Sequence, residues 1–166
     1  MISLRPSKRE ELEIFDEMDR QDHARNFVIQ TGLETHQKYF SDPKVTYLSI
    51  ENNSGEFCGY FILVLEPDTE SVEFRRILID KKKRGIGQAA ITEMESYCKK
   101  ELNVKHIWLD VYEDNEIGIH IYEKMGYERF KEKLVEGRKL YFYEKLSNKR
   151  LQPDHSKLTL LPLVGR

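Results

Sequence analysis

A glycine-containing turn at residues 85–87 joins a segment with strand character to a segment with helical periodicity. The strand-like segment runs from Val72 to Ile79 and is rich in β-branched and aromatic side chains. From Gln88 to Leu102, apolar residues recur at the spacing of an amphipathic helix. The order strand, turn, helix leaves the first backbone N–H groups of the helix without intrahelical partners. These donors, with the positive end of the helix dipole, favour binding of an anion and above all of a phosphate.

Gly85 and Gly87 lack the side chains that would keep a pyrophosphate away from the backbone of this turn. Residues 81–84 are four consecutive basic residues, which bring positive charge to the same place. The pattern therefore predicts a phosphate-binding turn, which we define as residues 84–88 and call the phosphate turn. A merely solvated basic loop is the alternative for residues 81–84, and their position directly before the glycines favours the phosphate role.

Composition limits the class of protein to which this turn belongs. The chain has 166 residues, which is enough for one domain with a substantial core. Its net charge of −2 argues against a general affinity for nucleic acid. Cys58 and Cys98 form no CxxC pair, so we expect a reducing, cytoplasmic compartment. The longest apolar run, Tyr60 to Leu65, is too short to span a bilayer, and we expect no membrane partner.

The remaining patterns predict a mixed α/β fold with a mostly antiparallel sheet. Two strands, 45–51 and 57–65, flank a strong turn signal and predict a hairpin. With the strand at 72–79 they form a meander, because their links are too short for crossover helices. A helix near 116–125, capped by Asp114 or Asn115, and a last hairpin complete one domain over residues 1–146. Residues 147–166 differ in composition and are predicted to be a tail.

A dinucleotide-binding turn is the competing interpretation of the glycines. Residues 85–90 match GxGxxA literally, and Asp110 follows the next strand as a ribose-binding acid would. Three features oppose it: the preceding strand is the third of a meander, a basic tetrapeptide separates that strand from Gly85, and too little chain follows to complete a doubly wound sheet. The chain also lacks GxxxxGK[ST], so a P-loop is excluded.

Two blocks of sequence together resemble the GNAT superfamily of N-acetyltransferases. The family hallmark is [Arg/Gln]-x-x-Gly-x-[Gly/Ala] after the fourth strand, and residues 82–87 match it, with Lys82 in place of Arg or Gln. The second block comprises residues 109–111, Asn115 and residues 121–127, which match the family's strand, Asn, helix, Tyr and Gly-[Phe/Tyr] pattern. The order of predicted elements from residue 1 to about 146 also agrees.

The resemblance implies that acetyl-coenzyme A lies between the fourth and fifth strands, which splay apart. The pantetheine arm would pair with the fourth strand, the phosphate turn would hold the pyrophosphate, and Ala89 and Ala90 would pack beneath it. The residues implied to bind the cofactor are Ile77, Leu78, Ile79, Lys82, Arg84, Gly85, Ile86, Gly87, Gln88, Ala89, Asn115 and Tyr122.

The implied reaction is attack of an amine on a thioester in a ternary complex. Making a lysine-like amine neutral at pH 7 costs about 4–5 kcal/mol, so a group must take its proton. Tyr122 stands at the position of the family's usual general acid and shares a helix face with Asn115. The alternative role for Tyr122 is a core aromatic side chain.

Glu73 is the leading candidate for the base, since several family members carry a glutamate on the fourth strand. Strict alternation puts Glu73 on the face of Ile77 and Ile79, unless a bulge intervenes. A salt bridge with Arg75 or Arg76 on a solvated strand is an equal alternative. Glu113 and Asp114 are weaker candidates.

No metal is expected, because the five histidines show no ligand spacing. The expected acceptor is a small-molecule or peptide amine, and a homodimer is possible. Two other functions stay open: a non-catalytic coenzyme A-binding module and an NAD(P)-binding oxidoreductase.

Overall fold

The structure, a computed structural model, describes residues 1–21, 24, 31–67, 70–80, 83 and 85–147. Seven strands and four α-helices lie in this part of the chain. The strands are β1 Ser3–Pro6, β2 Val45–Glu51, β3 Phe57–Leu65, β4 Ser71–Ile79, β5 His106–Tyr112, β6 Glu128–Val135 and β7 Arg138–Leu146. The helices are α1 Leu12–Asp19, which follows a 3-10 turn at Arg9–Glu11, then α2 Leu33–Phe40, α3 Gly87–Lys100 and α4 Glu116–Lys124.

The strands form one sheet in the order β1-β2-β3-β4-β5-β7-β6. Every neighbouring pair is antiparallel except β4 and β5, which run parallel. The predicted meander of β2, β3 and β4 is confirmed, and so is the mixed, mostly antiparallel fold. None of the helices in the described ranges is long and apolar enough to cross a membrane.

The two parallel strands share only three rungs, at Ser71–His106, Val72–Ile107 and Glu73–Trp108. Beyond the third rung β4 continues to Ile79 and β5 to Tyr112, and the ladder between them is open. We call the Glu73–Trp108 rung the vertex and the open part the cleft. This opening confirms the splayed central strands that the family resemblance implies.

The sheet carries a hydrophobic core on each face. Helices α3 and α4 cover one face, where Ala90 and Met94 belong to the same buried cluster as Phe74 of β4. Helices α1 and α2 cover the other face, where Phe15 stacks on Tyr60 with ring centroids 4.2 Å apart. Because each helix is apolar along one stripe only, the two pairs of helices sandwich the sheet. The vertex is therefore reached by side chains from both faces.

A bulge at Arg75 reverses the alternation of side chains along β4. The register between β3 and β4 shifts there by one residue, and Arg75 has no rung on β3. As a result Glu73 lies on the α1/α2 face, whereas Ile77 and Ile79 pack in the core under α3. The expectation from strict alternation, that Glu73 shares a face with Ile77 and Ile79, is wrong for this reason.

Gly59 of β3 lies where β3 and the far end of β4 approach closely. Its rung partner is Ile79, and a Cβ built on Gly59 would lie 2.2 Å from the carbonyl oxygen of Leu78. Because no real side chain tolerates that distance, only glycine fits. The missing side chain at Gly59 allows the end of β4 to stay paired with β3 while β5 diverges.

Candidate functional site

The phosphate turn presents open backbone at the start of α3. Gly85 has a φ of +95°, and a Cβ added at Gly85 or Gly87 would meet no atom within 4 Å in the described structure. The first intrahelical bond runs from the Ala90 N–H to the Ile86 carbonyl at 2.9 Å, so the N–H groups of residues 87–89 precede it. The turn has the room and the donors that a diphosphate needs. The residues present therefore fit the phosphate end of coenzyme A.

The side chains around the turn agree with the prediction in part. Ala90 is fully buried and Ala89 is exposed, so the packing of Ala89 beneath a bound phosphate stays a prediction. The helix starts at Gly87, and this phase turns Ala90 inward and Ala89 outward. Lys82 and Arg84 lie outside the described residues. Lys83 is paired with Glu56 at 2.9 Å, which ties the basic run to the turn between β2 and β3.

Tyr122 of α4 packs at the vertex, on the α3/α4 face. Its ring meets Phe74, the first β4 residue beyond the last rung, edge-on at a centroid distance of 5.8 Å. Burial, with a smaller contribution from the charge of Asp110, raises the pKa of the Tyr122 hydroxyl above its usual value. The phenol therefore keeps its proton at neutral and mildly alkaline pH and is chemically able to donate it.

Asn115 caps α4, as one of the two predicted alternatives. Its Oδ1 accepts a hydrogen bond from the Gly118 N–H at 3.0 Å. Gly118 makes room for this cap, because a Cβ there would lie 2.8 Å from the Asn115 amide nitrogen. The cap fixes the start of the helix that carries Tyr122. At the other end Gly126, with a φ of +94°, ends the helix as predicted.

Glu73 lies at the vertex on the opposite face from Tyr122. Its side chain is buried and forms a two-point ion pair with Arg75, with Nη2–Oε2 at 2.7 Å and Nε–Oε1 at 3.4 Å. The Arg75 guanidinium also lies over the ring of Tyr39 on α2, 5.5 Å from its centroid. The predicted salt bridge is present, but it is buried and not on a solvated strand. The pair holds the Glu73 carboxylate in one orientation.

A buried polar network, which the sequence analysis missed, ties β4 to α1 and α2. Asp19 binds Arg76 at 3.0 Å and His36 at 2.7 Å, and it accepts a short hydrogen bond from Tyr60. His36 in turn contacts the Tyr47 hydroxyl at 2.7 Å. All five residues are buried. The one signal in the sequence is that Asp19 and His36 occupy inward positions of short amphipathic helices.

The Asp16, Asp19 and His36 side chains offer ligand atoms within 4.8 Å of one another. The guanidinium of Arg76 already neutralises Asp19, and Arg20 pairs with Asp16. A divalent cation would meet these two guanidinium groups, so the cluster serves as an ion-pair network.

The weaker candidates have structural roles. Asp114 pairs with Arg138 at 2.8 Å, and Glu113 accepts a bond from the Lys139 N–H. His120 is exposed, whereas His106 is buried between Ser71 and Glu144; His23 and His155 lie outside the described residues. Cys58 and Cys98 are free and buried, and burial raises the pKa of Cys98 to about 12. Neither thiol is activated as a nucleophile.

Comparisons with known proteins agree with this geometry. A model of the Acetyltransferase (GNAT) family matches residues 9–127, which is more than half of the chain. A search of the curated proteins gave no match. A point mutant of the spermidine N-acetyltransferase SpeG of Vibrio cholerae is similar in structure, with a TM-score of 0.75, 20% identity, and coverage of 91% of this chain and 96% of that chain.

Two further structures of the Vibrio cholerae enzyme are similar. Its complex with CoA and spermine has a TM-score of 0.76 at 18% identity, and the match covers 88% of this chain and 95% of that chain. Its dodecameric form in an intermediate state has a TM-score of 0.73 at 19% identity, with 90% and 96% covered. At such identities the likeness shows a common fold. From the family match and the fitted phosphate turn, the chain belongs to the GNAT acetyltransferase family and is an N-acetyltransferase that uses acetyl-coenzyme A to acetylate an amine.

Proposed function

We propose that the acetyl group passes directly from acetyl-coenzyme A to a primary amine at the vertex, with Glu73 and Tyr122 as base and acid. The observation that carries this proposal is that the two side chains flank one opening from opposite faces of the sheet. The amine approaches from the α1/α2 face, and the thiol leaves on the α3/α4 face. No covalent enzyme intermediate is needed, since both buried cysteines are inert.

The chain's own residues hold the cofactor along the cleft. The backbone of residues 77–79 lies on the open side of β4 and would pair with the pantetheine arm as an added strand. Gly85 to Ala89, with Lys82 and Arg84, would hold the pyrophosphate through backbone N–H groups and positive charge. Asn115 would contact the cofactor arm from the start of α4. When bound, acetyl-coenzyme A supplies an activated thioester.

Proton transfer then completes the reaction. Glu73 takes the proton of the incoming ammonium, directly or through a water molecule, while Arg75 keeps the carboxylate in place. The amine nitrogen forms a bond to the carbonyl carbon and loses its second proton to solvent, and the carbon–sulfur bond breaks. Because burial raises the pKa of the Tyr122 hydroxyl, this group is protonated when the thiolate leaves; it donates its proton to the thiolate and regains one from solvent.

The acceptor is a small-molecule or peptide amine, and we include polyamines among the candidates because similar structures are of a spermidine acetyltransferase. We place the catalytic domain at residues 1–146 and a tail at 147–166. The free, buried cysteines support a cytoplasmic enzyme. A homodimer is part of the proposal and is tested by light scattering.

The test is thiol release from acetyl-coenzyme A with a panel of amines: spermidine, an amino acid, a peptide with a free N-terminus, and an aminoglycoside. We expect one class to give amine-dependent release, with the acetylated product seen by mass spectrometry. If calorimetry shows coenzyme A binding but no amine of the panel is acetylated, the proposal fails and the chain is a non-catalytic binding module.

A further inference from the structure

Two buried donors near the vertex have no acceptor among the described residues. They are Nη1 of Arg75 and Nε1 of Trp108. The Arg75 side chain is 0% exposed, and Trp108 is also 0% exposed. Leaving a buried donor without an acceptor is unfavourable, and native proteins contain few such groups. Because both unpaired donors lie near the Glu73 carboxylate, we look for one ligand group that would accept from both.

Each donor belongs to a residue next to Glu73, either bonded to its side chain or opposite it in the sheet. Trp108 is the rung partner of Glu73, so the two side chains leave the sheet next to each other on the α1/α2 face. Arg75 donates hydrogen bonds from Nε and Nη2 to the Glu73 carboxylate, so Nη1 is the guanidinium nitrogen without an acceptor in the described part of the chain. The indole ring is held in turn by stacking on Phe142, at a centroid distance of 6.2 Å. These contacts fix both donors before any substrate arrives.

We infer that Arg75 Nη1 and Trp108 Nε1 form a subsite for an oxygen of the acceptor, and that the acceptor is an α-amino acid or an α-amino amide. This inference rests on the proposed function, which brings the amine to the α1/α2 face. The amine of such an acceptor lies beside Glu73, and its carboxylate or carbonyl oxygen accepts hydrogen bonds from the two donors. A polyamine has no oxygen and leaves both donors unpaired.

The charges at the vertex suit an acceptor of this kind. Glu73 and Arg75 neutralise each other, so the site carries no net charge that excludes a zwitterion. Within the site, the Glu73 carboxylate can bind the ammonium group of the acceptor, and Nη1 of Arg75 can donate a hydrogen bond to its oxygen. The shared chemistry of the two acceptors is an oxygen next to the amine, and the assay below separates the free acid from the amide.

The experiment compares leucine, leucinamide and isoamylamine, which carry the same side chain with a carboxylate, an amide or neither. Thiol release gives kcat/KM for each amine with the wild type and with Trp108→Phe, which keeps an aromatic ring and removes Nε1. The three amines differ in their own pKa, so each is compared between proteins. We expect the ratio of kcat/KM for the favoured oxygen-bearing amine over isoamylamine to fall about tenfold in Trp108→Phe, as for a lost hydrogen bond to a polar or charged oxygen.

The matched control is Phe142→Leu, which disturbs the same aromatic cluster and keeps the indole donor. It should keep the wild-type ratio, even if both kcat/KM values change. An equal ratio in the wild type and Trp108→Phe overturns the subsite while leaving the proposed function intact. A fall of equal size in Phe142→Leu also overturns it, because packing and not the donor would then set the preference.

Binding gives a readout that needs no turnover. Trp108 is the single tryptophan of the chain, so its fluorescence reports on this site alone. In the protein loaded with coenzyme A, leucine or leucinamide should shift the Trp108 emission, and isoamylamine should shift it less. If an amine of the wider panel is acetylated but none of these three is, the subsite is overturned and the proposed function stands. If no amine of the wider panel is acetylated, the proposed function fails. An identical emission response to the three amines also overturns the subsite.

Discussion

Replacing Gly85 with alanine tests the phosphate turn with an internal control of the same geometry. Gly137, between β6 and β7, also has a left-handed backbone, with a φ of +83° against +95° at Gly85. A Cβ at either position meets no atom within 4 Å in the described structure. The two substitutions therefore place one methyl group in the same kind of backbone and in open space. Only Gly85 belongs to the proposed binding site.

The backbone conformation at the two glycines sets the expected losses of stability and of coenzyme A affinity. Forcing an alanine into the left-handed region costs roughly 1–2 kcal/mol, so both variants should lose about that much unfolding free energy. In Gly85→Ala the new methyl also keeps the pyrophosphate from the backbone donors. Losing one hydrogen bond to a charged group costs about 1.5–3 kcal/mol, which corresponds to a rise of about 10–100-fold in Kd for coenzyme A.

The assay is calorimetric titration of coenzyme A into wild type, Gly85→Ala and Gly137→Ala, with urea unfolding of each protein alongside. We expect similar stability losses in the two variants and weakened binding in Gly85→Ala only. Equal affinities for coenzyme A in the two variants would refute the phosphate turn, because the only feature that distinguishes them is its location.

Four other variants test the vertex and its supports. Tyr122→Phe should lower kcat by about 10²–10⁴-fold in the thiol assay. Because burial raises the pKa of Tyr122, deprotonation of this hydroxyl should not lower the wild-type kcat below about pH 10. A fall of kcat below that pH that is absent from Tyr122→Phe would contradict this assignment. Glu73→Gln should remove the acidic limb of the pH–rate profile, and an unchanged profile clears Glu73 as base. Asp19→Asn should cost about 3–5 kcal/mol in urea unfolding, since Arg76 then lacks its buried counter-charge, and a loss below about 1 kcal/mol argues against that network. Gly59→Ala should cost about 1–3 kcal/mol, and a neutral effect would mean that β3 and β4 separate freely.

Local sequence patterns carried enough information to predict most of the helices and strands. The hairpin of β2 and β3 has the bounds that alternation and the turn signal predict, and Asn115 caps α4 as its side-chain chemistry suggests. The cleft came from the family resemblance, because a divergence of two strands depends on pairing that no single segment encodes. The outward position of Ala89 could not be read from the sequence, because the phase of a helix depends on the residue at which it begins.

The face of Glu73 could not be read from its own strand. The bulge at Arg75 arises from the register between β3 and β4, which is a tertiary property. Charged residues at Glu73, Arg75 and Arg76 are typical of a solvated strand, yet all three are buried on the α1/α2 face. Glu73 pairs with Arg75, and Arg76 pairs with Asp19, which is far away in sequence. Nothing in the sequence indicated that Nε1 of Trp108 lacks an acceptor among the described residues, since a tryptophan in a predicted core strand is expected only to contribute to packing.

The most direct test of the account is a crystal structure of the protein with coenzyme A. We predict that the diphosphate lies on the N–H groups at the start of α3, and that the pantetheine arm runs along residues 77–79 with its thiol beside Tyr122 at the vertex. A bound cofactor elsewhere, or a cleft in which β4 and β5 pair beyond Glu73 and Trp108, would contradict the central claim.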